Sequence, residues 1–362
     1  MDPAGSERRA PLAFSTRLAR LGGGAVVATR AGVPSPIPLR PLADLIEIGD
    51  GCRLRLVGVL GHGGSSTVHR GLLENRSGLC RPVAVKVYSA VSTDDADRVH
   101  AFVARTATRA ASLRHPNVVQ VYDFGHWRNQ PYVVRELVDG VTLRALLDRH
   151  AERSLRLPLD LALFIACEIG EALAGASAAR DPRGAPLAVL HRALGPRKVL
   201  LGWRGEVKVS DFDASMGEVA SSRVRNLRVV VQRTATMAPE VARGQVGDSR
   251  SDVFSLGVLL RELLVAPRFG PHVSNSEAFR LACEGFVQPM SFQPNLPAEL
   301  VDVMARALQL APGDRYPHAG AMAFDLRRVA LSMGVGDARL FLRRALAREF
   351  DSEVSAVTAP HA

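Results

Sequence analysis

Lysine is nearly missing from this sequence: Lys86, Lys198 and Lys208 are the only three among 46 basic residues. The net charge of +10 is therefore carried by arginines, and they are spread along the chain. Aromatic residues make up only 5% and are not interleaved with a basic stripe. That combination argues for an arginine-biased composition over a nucleic-acid surface. Long apolar runs are lacking too. No stretch of about 18 uncharged apolar residues occurs, so no transmembrane helix is expected. The apolar patch from Gly22 to Thr29 is short and diluted by glycine, which does not make a signal peptide. Cysteine is scarce. Cys52, Cys80, Cys167 and Cys283 lie far apart, with no CxxC pair and no metal-ligand spacing. Free thiols in a reducing cytoplasm are the simplest reading.

What is present suits one large folded domain, or two lobes sharing a core: 362 residues, 47% hydrophobic and 23% charged. Residues 1–50 are rich in Gly, Pro, Ala and Arg, including Pro34-Ser35-Pro36-Ile37-Pro38, and read as a tail without fixed structure. Arg53 to Leu60 alternates as a strand does, and Gly61 to Gly64 is expected to turn it. Pro82 to Tyr88 and Tyr132 to Leu137 read as strands, with a helix between them from Asp94 to Leu113. Helices then dominate: Pro158 to Ala179, Asp252 to Leu264, Pro297 to Leu310, Ala319 to Ala330 and Ala338 to Phe350. Val189-Leu190 and Glu206 to Ser210 read as short strands flanking a loop. A strand-rich first part and a helical second part predict an α+β, two-lobed fold.

Nine motifs then occur in order. They are Leu60-Gly-His-Gly-Gly-Ser-Ser-Thr-Val68, Val83-Ala-Val-Lys86, His115-Pro-Asn-Val-Val119, Glu136, His191-Arg192, Asp211-Phe-Asp213, Met237-Ala-Pro-Glu240, Ser251-Asp-Val-Phe-Ser-Leu-Gly257 and Pro312-Gly-Asp-Arg315. In this order they resemble the protein kinase family over residues 53–330, bacterial Ser/Thr kinases in particular. The resemblance implies an N-lobe over 53–136, a hinge over 137–141 and a C-lobe over 142–330. Residues 331–362 are left as a C-terminal tail with one further helix.

Phosphoryl transfer needs positioned phosphates, bound Mg²⁺ and an oriented hydroxyl. By resemblance, Gly61, Gly63, Lys86, Glu136 and Asp211 are the nucleotide-binding candidates, ATP is the implied ligand, and Asp211 is the one remaining Mg²⁺ ligand. The rest departs from the family's pattern. Thr106 stands where the helix following the lysine strand would carry a carboxylate, and no Asp or Glu occurs between Asp97 and Asp123. Ala193 replaces the catalytic aspartate, and an alanine cannot act as a base. Lys198 replaces the metal-binding asparagine, and ammonium cannot ligate a cation. No Asp, Glu or Asn lies between Gly184 and Gly205 to compensate. Asp213 replaces a glycine.

Arg135, just before Glu136 at the gatekeeper position behind the adenine pocket, would need a partner if buried; Asp211 is the candidate. Lys86 could pair with Asp211 as well. Lys198 beside Asp211 predicts either an internal ion pair or metal-free nucleotide binding. Arg223, Arg225, Arg228 and Arg233 make the segment after Asp213 basic, either as a dock for an acidic partner or as a solvated loop. Glu240, Asp252 and Arg315 match the family's buried bracing charges. The sequence thus reads as a catalytically deficient pseudokinase, a regulatory or scaffolding module of the cytoplasm with an unidentified protein partner, such as an active kinase or its substrate. An atypical active Ser/Thr kinase and a basic nucleic-acid-binding scaffold are the alternatives.

Overall fold

A computed structural model describes residues 45–48, 51–63, 66–89, 93–128, 130–181, 183–212, 234–270, 272–287, 296–351 and 353. The first part is a six-stranded antiparallel sheet in the order β1-β2-β3-β4-β6-β5. Its strands are β1 (Leu45–Ile48), β2 (Cys52–His62), β3 (Ser66–Glu74), β4 (Cys80–Tyr88), β5 (Val121–Trp127) and β6 (Gln130–Glu136). Side chains alternate across a strand. Leu54, Leu56, Val83, Val85 and Val134 therefore share one buried face. Helix α1 (Thr93–Ala111) covers the sheet with Val99, Phe102, Val103 and Ala107, which pack on Tyr88 and Val133.

The second part is helical. It comprises α2 (Leu143–Glu152), α3 (Leu159–Ser177), α4 (Pro239–Ala242), α5 (Ser249–Leu264), α6 (Asn275–Glu284), α7 (Ala298–Ala307), α8 (Ala319–Ser332) and α9 (Ala338–Glu349). Helix α3 is apolar around most of its circumference, as a helix buried on nearly every side must be. It forms the centre of the main core with Leu256, Leu259, Met304, Met322, Leu326, Leu342 and Leu346. A small sheet of β7 (Gly140–Thr142), β8 (Val199–Gly202) and β9 (Val207–Val209) lies where the two parts meet. Gly140 is required there, because a Cβ would fall 2.0 Å from the Leu201 carbonyl oxygen. The parts are stitched by backbone: Val119 N–H donates to Val209 O and Val209 N–H to Asn117 O.

The α+β, two-lobed expectation is met. Several local expectations are corrected. Residues 1–50 do not all form a tail, since Leu45–Ile48 pairs antiparallel with β2 and buries Ile46 beside Leu54. Gly61 does not turn the chain: β2 continues to His62, with Gly61 opposite Val68 after a bulge. Val189-Leu190 is buried without being a strand. Strands β5 and β7 and helices α2 and α6 were not read in the sequence, although Leu143, Leu146 and His150 of α2 keep helical spacing and β5 alternates in burial. Asp213, Arg223, Arg225, Arg228 and Arg233, and the ends of both tails, lie outside the described residues. No described helix is long and apolar enough to cross a membrane. The four cysteines are free thiols.

Candidate functional site

Three elements deliver three cations to one carboxylate. Lys86 comes from β4, where it pairs across to Val68 and Val133. Arg135 comes from the end of β6, opposite Ala84. Lys198 comes from a short 3-10 turn, Pro196–Lys198, that leads into β8. All three reach Asp211, two residues past the end of β9, which holds a left-handed φ of 62°. That conformation is uncommon for a residue other than glycine. Lys86 Nζ lies 3.1 Å from Asp211 Oδ1, and Arg135 Nη1 donates to the same oxygen at 2.8 Å. Lys198 Nζ donates to Oδ2.

The electrostatics follow from that count. Burial alone would raise the Asp211 carboxyl, but the combined pull of Lys198, Lys86 and Arg135 holds it well below the usual carboxylate range. Lys198 experiences the converse. Burial and the like charges of Lys86 and Arg135 lower its ammonium, and Asp211 opposes them only in part. The carboxylate sees three opposite charges, whereas each cation sees one opposite charge and two like ones.

The other predicted positions are placed as follows. Thr106 is buried on α1 and lines the same cavity of about 40 Å³ as Lys86, Arg135, Asp211 and Phe212. Its hydroxyl donates back to Val103 O, so α1 offers Lys86 no carboxylate there. Glu136 is turned away from Asp211: its carboxylate accepts from Lys208 Nζ at 2.9–3.0 Å and from Gln120 N–H. Gly61 has open space where a Cβ would sit, while Gly63 closes a tight turn by donating to Ser66 O. Ala193 N–H donates to His191 Nδ1, which leaves the protonated Nε2 of a neutral imidazole to donate to Ser210 O. Burial and the nearby Lys198 push the His191 ring down to about 4, so it is neutral at pH 7.

The bracing charges come together as a group. Asp252 accepts from the backbone N–H of His191 and Arg192, fixing the loop that carries Ala193 and Lys198. Arg315 grips both oxygens of Glu240 at 2.8 and 2.9 Å, and Ser251 Oγ donates to Oε1. Two ties went unread in the sequence. Arg109 of α1 donates to Leu187 O, and Thr236 donates its hydroxyl to Leu194 O. An arginine in an arginine-rich helix and a threonine in an altered loop carry no signal of such long-range partners.

Mg²⁺ does not fit these residues. Both oxygens of Asp211 already carry cationic donors, and one of these is the ammonium of Lys198, which cannot ligate a cation. A metal ion there would have to displace positive charge.

The family model "Protein tyrosine and serine/threonine kinase" matches residues 54–322. The tyrosine-protein kinase MasK of Myxococcus xanthus is 32% identical over 74% of this chain and 41% of its own length. The serine/threonine-protein kinase PknB of Mycobacterium leprae is 33% identical over 80% of this chain and 43% of its own. The chain thus spans about two-fifths of the length of these curated relatives. In fold it resembles the PknI kinase domain of Mycobacterium tuberculosis, with a TM-score of 0.56 at 24% identity, over 83% of this chain and 99% of that one. A kinase-family match over most of the chain, on a strand-rich lobe joined to a helical one, places this protein in the protein kinase family.

Proposed function

We propose that the chain is a pseudokinase: a regulatory or scaffolding member of the family that does not transfer phosphate. The observation that carries this is the occupation of Asp211 by Lys86, Arg135 and Lys198. Those cations take the place of the metal that phosphoryl transfer requires. The alanine at position 193 supports the same reading, because no side chain there accepts a proton from a hydroxyl. The kept bracing charges fit a fold maintained for binding a partner. Signalling through a protein contact is then its role, and any ATP taken up is held by cationic side chains without Mg²⁺.

The test is transfer of radiolabelled γ-phosphate to the protein itself or to a generic substrate. Label is expected to match that of the Lys86→Ala variant. Label clearly above that variant would show transfer and end the proposal.

Arg135 acts as a plug in this reading. It spans from β6 to Asp211, and phosphates entering the cleft must break that bond. A charge-assisted hydrogen bond is worth ~1.5–3 kcal/mol. Arg135→Thr is therefore expected to tighten apparent ATP affinity about tenfold or more in the presence of a chelator. Thermal shift against ATP concentration measures it. Equal or weaker binding by the variant would remove the plug from the account.

A further inference from the structure

The cavity beside Asp211 is walled by α1 and by strands of the large sheet, and its lining is of two kinds. Ala107, Leu113 and Val133 are apolar and buried, whereas Lys86, Arg135 and Asp211 are charged. Its volume of about 40 Å³ compares with roughly 10–15 Å³ for one water, so it takes a group of roughly three heavy atoms. Thr106 lines it too, but its hydroxyl proton is spent on Val103 O. The position on α1 where the resemblance implies a carboxylate therefore brings no negative charge to the cavity.

The charges on this lining do not balance. Lys86 and Arg135 bring two positive charges and Asp211 one negative, a difference of one. Their side chains are 9%, 12% and 10% exposed, so bulk water offsets the difference poorly. Lys198 adds its charge from outside the cavity, where 34% of its side chain reaches solvent. Arg135 is the group with capacity to spare. A guanidinium carries five N–H donors, and among the described residues this one meets a single acceptor, Asp211 Oδ1. The carboxylate of Glu136, its neighbour in the chain, is taken by Lys208.

We propose that this cavity binds a small monovalent carboxylate, of the size of formate or acetate, which supplies the negative charge that α1 lacks. One such anion cancels the difference of one. Its planar pair of oxygens matches the fork of N–H groups that a guanidinium presents, and the apolar walls accept a hydrogen or a methyl group on its other side. Water would fill the volume and leave the charge, and a metal cation would add to it. A triphosphate is too large for the volume, which separates this site from nucleotide binding. The inference rests on the same cation cluster as the pseudokinase reading, yet the two fail separately: transfer of γ-phosphate would end that reading and leave this one standing.

The experiment is thermal unfolding of the full chain while sodium formate replaces sodium gluconate at constant ionic strength. Gluconate is too large for the cavity, and screening stays fixed through the exchange. Tm is expected to rise with formate along a saturating curve. Thr106→Glu, which offers a carboxylate from α1 itself, is expected to abolish the response. Arg135→Met removes the spare donors and is expected to raise the half-saturating formate concentration about tenfold or more. Arg135→Met keeps the test decisive if Thr106→Glu does not fold. A Tm that shows no saturating rise overturns the proposal. So does an unchanged half-saturation in Arg135→Met, or a full response in a folded Thr106→Glu, because either places the anion elsewhere on the chain.

Discussion

Glu240→Ala is expected to destabilise the fold by about 3–5 kcal/mol, because it strands a buried guanidinium. Arg315 gives Glu240 a bidentate pair and spends its remaining donors on the carbonyls of Gln309, Leu310 and Arg250. It also lies over the Phe254 ring, 4.9 Å from its centroid, where water cannot replace a lost carboxylate. Urea unfolding should show a lower midpoint with an unchanged slope, and Tm should fall by roughly 10 °C. A loss below about 1 kcal/mol would mean that the pair is dispensable.

The pH dependence has a definite sign. Burial raises the Glu240 carboxyl, yet the hydrogen bonds from Arg315 and Ser251 outweigh it and leave the group below its ordinary value. A depressed carboxyl stabilises the fold above its unfolded value near 4.3, and that contribution disappears as pH falls through the lower folded value. The gap between the natural chain and Glu240→Gln should therefore narrow on acidification below about pH 4.

How much of this was legible in the sequence depends on how local each feature is. The two lobes were, because period-two runs such as Arg53 to Leu60 and the apolar stretch around α3 announce their own burial. The departures from the family's pattern were legible as well. A residue type that cannot accept a proton, at position 193, needs no coordinates to be read. The three cations on Asp211 were each foreseeable as a pairwise option, but their convergence was not. It depends on β4, β6 and the 3-10 turn before β8 meeting at one point, and sequence spacing does not encode that meeting. Strand β1 was hidden for a different reason. Its four residues follow a proline-rich run, and what stabilises them is non-local: pairing with β2 and burial of Ile46 in the sheet's core.

The same convergence makes Asp211→Asn the second large effect. Asparagine keeps the volume and some hydrogen bonding but leaves Lys86, Arg135 and Lys198 facing one another across a partly buried site. Removing the shared anion of a buried charge cluster is expected to cost about 3–5 kcal/mol in urea unfolding. Packing loss and charge imbalance then part ways in a double mutant. If charge is the cause, Lys198→Met should cost clearly less in the Asp211→Asn background than in the natural chain, with a coupling on the order of 1–3 kcal/mol. Inorganic polyphosphate, added without metal, should also raise the Tm of Asp211→Asn more than that of the natural chain, since it would supply the negative charge the variant lost. Additive losses with no response to polyphosphate would mean that Asp211 is held by backbone geometry, its φ of 62° included, and that the three cations are neighbours and not partners.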